Sequence, residues 1–515
     1  MKSTAKAIGV VTIIMLSSRL LALVSSSLYL AHFNGTIGLE IYSWAIQIPN
    51  IVFNSLGTAL ATVIIPIFAG YISTGQKERA FKFADNIIGI SLVFTAALSV
   101  LCIAAAPLIL YFTPRFRAQD HSFAVFALRV MFPIMVFYAM NYVFQGILQS
   151  FGRFNMPAFV SIPSSLIVIF YVIFLGRIYG VRGLVVATFI GLTTQALILI
   201  PPIFKTEYRY HPSFNLINED IIKAVKLVPP ILIGTSAYQV NMFFNTSFSS
   251  SFENTIPVMS WVQNLILYAV LAFVFSVTAV VFPKFTALAA NNDIQGLKAS
   301  LNKVLRSVLY LLIPCTAGFI AVRYQLVELL IKWGKMGEKD VALASGMMGL
   351  YALGISGVGI KEVVDRAFYS LKDTLRPTVN GVIMVAVNIS ASLILACFIG
   401  VYGIPLGYSV SSLTGAFVLL YLIRRKVGAL GFKNMISYTI KVAAASGLMF
   451  LSVIAVNMIL EGYTFGLPFL DRCVKLFAPV ASGVVVYYLF TYLFKIEEAI
   501  DVFNRAKAVF IKGKA

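Results

Sequence analysis

Charge is scarce in this chain. Only 12% of its 515 residues are Asp, Glu, Lys or Arg, and acidic residues number 20 against 40 basic ones. Its three histidines, His32, His121 and His211, are scattered, and no two carboxylates pair at a predicted membrane face. The longest polar gap runs only from about Lys205 to Lys226, too short for a soluble domain. An enzyme is therefore disfavoured, and no catalytic residues are assigned. Cysteine is rarer still. Of the four, Cys102, Cys315 and Cys397 fall in apolar runs and Cys473 sits near the end of another. That pattern offers neither a disulfide framework nor metal-ligand spacing, so no metal and no cofactor are expected.

What remains is apolar. Hydrophobic residues make up 59% of the chain, and its mean hydropathy is +0.90. A helix crossing a bilayer needs about 20 mainly apolar residues. About fourteen such stretches occur, centred near residues 20, 54, 97, 136, 168, 190, 238, 269, 316, 354, 388, 413, 448 and 484. The fold class is thus an all-α membrane protein. The opening run, with Lys2 and Lys6 ahead of it, resembles a signal peptide but is longer than a usual h-region, so it reads as an uncleaved first span.

The sequence also repeats. At a shift of 217, Ser43-Trp44 meets Ser260-Trp261, and the run Ile64 to Phe68 around Pro66 meets Val281 to Phe285 around Pro283. At a shift of 220, Ser150 meets Ser370, Pro157 meets Pro377, and Gly180-Val181-Arg182-Gly183 meets Gly400-Val401-Tyr402-Gly403. Each copy holds six apolar stretches, an even number, so both enter the membrane in the same sense. The expected organisation is a six-helix repeat over 1–203, a second over 204–426, and a two-helix hairpin with a basic cytoplasmic tail over 427–515. Two parallel repeats facing a central cavity is a transporter arrangement. Duplication for stability alone is the other reading.

A net charge of +20 suggests nucleic acid until its distribution is examined. With a cytoplasmic N-terminus, 26 of the 40 Lys and Arg fall at cytoplasmic ends and loops, 10 fall outside, and Arg19, Arg129, Lys361 and Arg366 lie within spans. That bias places both termini inside. The tail with Lys507, Lys512 and Lys514 is expected to touch anionic lipid. Arg323, Lys332, Lys335 and Lys339 cluster outside, against the rule.

Polar groups inside spans are costly and usually face a cavity or a partner. The second span carries Gln47, Asn50, Asn54 and Thr58 on one helical face, and the seventh carries Tyr238, Asn241, Asn245 and Ser249 with the same spacing. Ser18, Arg19, Ser25 and Ser26 mark the first span, and Ser260, Gln263 and Asn264 the eighth. These four spans are repeat counterparts. Their stripes fit the lining of a wet cavity, or hydrogen bonds that hold the bundle together. In the tenth span Lys361 and Asp365, like Glu362 and Arg366, stand four residues apart and can pair on their own helix. They read equally as a gating or coupling element and as a self-neutralised cluster. Arg19, with no carboxylate within four residues, is a candidate anion contact, whereas Arg129 is close enough to the interface to snorkel.

These residues resemble the MurJ/MviN lipid II flippase family of the multidrug/oligosaccharidyl-lipid/polysaccharide exporter superfamily. The resemblance rests on Tyr369-Ser370-Leu371-Lys372-Asp373-Thr374 ahead of Pro377, Gly152-Arg153-Phe154 ahead of Pro157-Ala158, Ile48-Pro49-Asn50, the Pro66 and Pro283 helix ends, and Ser18-Arg19 with Leu21. It implies alternating access for an undecaprenyl-pyrophosphate-linked sugar-peptide across the bacterial cytoplasmic membrane, with the anionic head in the cavity. It also implies contact with envelope-synthesis proteins. The chain departs from the family pattern at Ser25-Ser26, Phe53 and Asn264, where cavity charges are usual, and it lacks the carboxylates some members carry in the seventh and eleventh spans. Of the family's cavity cations only Arg19 carries over. Two further readings stay open: a cation-coupled exporter of small amphipathic molecules, and a transport-inactive scaffold in cell-envelope synthesis.

Overall fold

The computed structural model describes residues 2–153, 155–215, 220–222, 239–428, 432–463 and 466–500. Tyr238, Lys226 and the tail residues Lys507, Lys512 and Lys514 lie outside the described residues, as do the side chains of Phe53, Asn54 and Thr58. Every regular element among the described residues is helical. The first part of the chain forms α1 (Lys2–Phe33), α2 (Ile37–Ser73), α3 (Lys77–Ile109), α4 (Pro114–Met131), α5 (Ile134–Ser150), α6 (Asn155–Phe159), α7 (Ser161–Phe170), α8 (Gly176–Leu197) and α9 (Ile200–Phe204). Next come α10, described over 239–249, α11 (Thr255–Ala290), α12 (Ile294–Ile331), α13 (Glu338–Ala352) and α14 (Ile355–Ser370). Then follow α15 (Leu375–Ile399), α16 (Gly403–Val427), α17 (Phe432–Glu461) and α18 (Pro468–Leu493).

Eight helical runs among the described residues are long and apolar enough to cross a membrane. Two of them, Asn155–Phe204 and Leu375–Val427, hold 50 and 53 residues, far beyond the ~20 that one crossing takes. Each is a hairpin. The chain reverses at Gly180 (φ 58°, ψ −151°) in one and at Gly400 (φ 60°, ψ −138°) in the other. Backbone of that kind is nearly closed to residues with a Cβ. Helices α1, α2 and α11, of 32, 37 and 36 residues, are long enough to cross as well. The fold is thus the all-α membrane architecture expected.

Left-handed turns recur at the interval seen in the sequence. Gly75 matches Asn292, Gly152 matches Lys372 and Gly180 matches Gly400, at shifts of 217, 220 and 220, all with positive φ. The fourth and tenth spans also break at matching places, at Phe132–Pro133 between α4 and α5 and at Leu353–Gly354 between α13 and α14. Proline cannot continue the helix in the first case. In the second, a Cβ at Gly354 would lie 2.9 Å from the Ser409 Cα, so the close approach itself calls for glycine.

Packing divides the chain into two compact units, residues 1–261 with 333–336, and residues 262–332 with 337–515. The first unit takes in α10 and the start of α11, past the repeat boundary expected at 203/204. Inside it α2 packs on α4 and α5, and Trp44 is buried edge-on against Phe116 with ring centres 5.6 Å apart. In the second unit α15 and α16 meet through Gly403, Gly407, Ser411 and Gly415, one small residue per turn. A Cβ at Gly407 would come 2.3 Å from the Ser392 Oγ, and one at Gly415 2.3 Å from the Met384 Sδ. Small residues let helix backbones close up where lipid gives no hydrophobic drive. The hairpin α17–α18 packs on α12.

Gly180→Ala and Gly400→Ala should each destabilise the protein by about 1–3 kcal/mol. The thermal midpoint of the detergent-solubilised protein is the readout. Gly381→Ala, where a Cβ meets nothing within 4 Å, is the control and should leave the midpoint unchanged. Midpoints equal to that control would contradict the hairpin geometry.

Candidate functional site

In the first unit the polar stripes meet one another. Helix α2 starts at the N-cap Thr36, whose hydroxyl accepts from the Leu39 N–H at 3.3 Å. Three turns on, the half-buried Gln47 donates from Nε2 to the Ser260 Oγ at 2.9 Å and accepts from the Thr246 hydroxyl at 3.2 Å. One side chain thus ties α2 to α10 and α11. Asn50 donates to the Ile46 carbonyl at 3.0 Å and also hydrogen-bonds the Tyr138 side chain of α5. Asn245 is buried and donates to the half-buried Asn241 at 2.8 Å, while its own Oδ1 finds no partner among the described residues. Ser249 donates to the Asn245 carbonyl at 2.6 Å.

Helix α1 supplies the cation. Arg19 is exposed and engaged in a contact of its own, beside the buried Ser18, which donates to the Ala158 carbonyl at 3.3 Å. Ser26 caps back onto the Leu23 carbonyl at 2.8 Å, and Ser27 accepts from the Trp261 indole at 2.9 Å. In the second unit Asn264 is exposed.

The tenth-span charges also lie in the second unit, on α14. Lys361 sits 2.7 Å from Asp365 and 3.5 Å from Glu362. The other expected pair, Glu362 with Arg366, does not form among the described residues. Arg366 instead lies over the Phe282 ring, 5.9 Å from its centre, and Lys361 takes both carboxylates. The exposed cluster that opposed the charge rule is partly neutralised, because Lys332 pairs with Glu328 at 2.8 Å and with Glu338.

Two constructions had no local signal in the sequence. The first is a buried ion pair in the first unit. Arg115, at the start of α4, contacts Glu40 of α2 with two bonds of 2.8 and 3.0 Å. The same guanidinium donates to the carbonyls of Ser250 (3.2 Å) and Phe252 (3.0 Å), and the Asn254 N–H donates to Glu40 at 2.8 Å. With side chains only 19% and 5% exposed, the pair pins the α10–α11 turn to α2 and α4.

The second is a strap formed by the segment after α9. Asp85 of α3 accepts from the Tyr208 hydroxyl at 2.7 Å and from the His211 N–H at 3.0 Å, and Asn86 accepts from Ser213 and from the Asn215 N–H. Burial first, and then the bond to Asp85, push the Tyr208 phenol up, so it remains a donor. Asp220 closes the strap by accepting from Arg79 at 2.9 and 3.0 Å and from Tyr71 at 2.6 Å. Gly89 makes room, since a Cβ there would lie 2.2 Å from the Ser213 carbonyl. The partners of both constructions stand 75 to 214 residues apart, beyond any helical spacing.

Comparison with known proteins follows from this geometry. The family model described as lipid II flippase MurJ matches residues 31–470. Among curated relatives, the chain is 23% identical over 490 residues to a probable lipid II flippase MurJ of Buchnera aphidicola subsp. Schizaphis graminum, covering 94% of each. It is 23% identical over 485 residues to that of Rickettsia prowazekii, covering 93% of this chain and 95% of the relative. Among solved structures, a lipid II flippase MurJ in an inward closed conformation superposes with a TM-score of 0.77 at 21% identity, covering 94% of this chain and 98% of that one. An inward-facing MATE family transporter of the MOP superfamily superposes at 0.67 with 16% identity, covering 81% and 98%. The structural likenesses establish a shared fold.

The buried clamp gives a direct test. Arg115→Ala strands the Glu40 carboxylate, and removing one partner of a buried pair costs about 3–5 kcal/mol. Membrane abundance and the thermal midpoint should both fall, and Glu40→Gln combined with Arg115→Met should recover part of the loss. An Arg115→Ala protein as stable as the parent would refute the clamp.

Proposed function

We infer the function of this chain from one premise: it belongs to the MurJ family of lipid II flippases. It moves lipid II, the lipid-linked precursor of peptidoglycan, across the cytoplasmic membrane in which its many helices are embedded. The observation that carries this reading is the family match over residues 31–470, which leaves no large part of the chain for another activity. The chemistry is transport by alternating access, and no step needs an enzyme's catalytic group.

The substrate's difficulty is its head. A pyrophosphate and sugar-peptide cannot enter hydrocarbon unaccompanied, because each unsatisfied polar group costs several kcal/mol there. Arg19 is the assigned anion contact, since a guanidinium presents a planar fork to phosphate oxygens. Hydrogen bonds to charged groups are worth about 1.5–3 kcal/mol and neutral ones about 0.5–1.5. With Phe53 and Asn264 at positions where the family places cations, more of the head-group contact falls on amides and hydroxyls. Ser26, Gln47, Asn50, Asn241 and Asn245 are those candidates on described side chains, and Asn54, Tyr238 and Asn264 are candidates on sequence pattern. Lys361, Glu362, Asp365 and Arg366 are assigned to gating or coupling.

The remaining proposals concern placement. Both termini lie in the cytoplasm, on the 26-to-10 charge bias. The repeats span 1–203 and 204–426, followed by the hairpin and basic tail, which meets anionic lipid and leaves room for envelope-synthesis proteins.

Rescue of cells depleted of their own lipid II flippase tests the function. The parent chain should restore growth, and Arg19→Ala should abolish rescue at normal membrane abundance. Arg19→Lys should keep part of it, because a point charge lacks the fork. Full rescue by Arg19→Ala at normal abundance would remove Arg19 from the head-group site.

A further inference from the structure

The first unit holds an apolar groove whose lining includes none of the residues assigned to the head group. It has a volume of about 660 Å³, within the range of ligand pockets, and is walled by Phe126 of α4, the end of α7 and the first half of α8. Apolar and aromatic side chains make up its lining, with one charged exception, Arg182. Around its mouth Phe170, Phe174, Ile178 and Tyr179 are each more than half exposed. In a membrane-embedded chain, surface of that composition faces hydrocarbon. An apolar groove does not hold water, and left empty it would forfeit the dispersion contacts of its walls. A lipid chain is the occupant its walls and its opening suit.

The charged end narrows the choice of lipid. Arg182 and Arg177 are both exposed, and neither hydrogen-bonds nor ion-pairs with a described residue. Arg182 lines the groove, and a guanidinium without a carboxylate partner at a lipid-facing groove suits a phosphate-bearing anionic head group.

The second repeat supplies an internal comparison. Arg182 corresponds to Tyr402, because Gly180-Val181-Arg182-Gly183 aligns with Gly400-Val401-Tyr402-Gly403. The Tyr402 ring packs inward, so that a Cβ on Gly346 would lie 2.6 Å from it. The backbone differs as well. Residues 171–175 wind as a single π-turn, whereas the corresponding 391–395 are regular α-helix. Single π-turns are rare and concentrate at functional sites. This one is held by the Tyr171 hydroxyl, which donates to the Gly180 carbonyl at 2.6 Å through the space left by Gly183. Where one repeat has an aromatic ring folded in, the other has an arginine facing out beside an open groove.

We propose that this groove is a binding site for an anionic phospholipid, with an acyl chain along Ile167, Phe170 and Val186 and its phosphate at Arg182. The site lies apart from the assigned head-group contacts and goes beyond the transport reading.

The test uses the full chain reconstituted in nanodiscs of phosphatidylcholine with either photoactivatable phosphatidylglycerol or photoactivatable phosphatidylcholine, with cross-linked peptides mapped by mass spectrometry. Phosphatidylglycerol should label residues 167–190 in preference to phosphatidylcholine. Val186→Trp, which fills the groove from a partly exposed position, should abolish that label while other labelled peptides persist. Arg182→Ala should lower the apparent affinity for phosphatidylglycerol about tenfold and erase the head-group preference. Equal labelling by both lipids, labelling confined to other segments, or a 167–190 label that survives Val186→Trp would each overturn the proposal.

Discussion

A bilayer interior offers no hydrogen-bond partner, and that constraint organises this protein. Every backbone N–H and C=O at membrane depth must be satisfied within the chain. Among the described residues the response is helix almost throughout, and several of the turns between helices carry glycine, asparagine or lysine at positive φ. Because both repeats meet the same constraint with the same connections, their turns fall at matching positions, and Gly180 and Gly400 adopt nearly the same φ and ψ. The constraint extends to side chains. Gln47, Ser260 and Thr246 bond one another, Lys361 gathers two carboxylates, and Glu40 is enclosed by Arg115 and a backbone N–H.

The architecture was legible in the sequence because it depends on two coarse signals, apolar length and repetition at 217–220 residues. Neither needs knowledge of which helices touch. The same reasoning reached the matched glycines and the polar stripes. It could not reach contacts set by tertiary packing. Glu40 and Arg115 are 75 residues apart, and Asp85 and Tyr208 are 123 apart. Spacing along one helix also overstated what it could decide. Positions four apart put Glu362 within reach of Arg366, yet Arg366 prefers an aromatic ring and Glu362 turns to Lys361. The Asn stripes lie on helices, while whether each amide meets a substrate or a neighbour depends on packing that periodicity does not encode.

Membership in the MurJ family sharpens the meaning of the departures. Where the resemblance leads one to expect cavity cations, the sequence has Phe53 and Asn264, so on the proposed reading an anionic head meets fewer fixed charges. The clamp of Glu40 and Arg115 and the strap on Asp85 and Asp220 tie together helices of the first unit.

The central claim is that this chain carries lipid II from the inner to the outer leaflet. The direct measurement is made in cells in which it is the only lipid II flippase. An impermeant hydrolase of pyrophosphate-linked lipids is added outside, and the fraction of the precursor it cleaves is followed over time. The account predicts cleavage while the chain is present and accumulation of uncleaved precursor once it is withdrawn. Precursor that stays uncleaved although the chain sits in the membrane at normal abundance would contradict it.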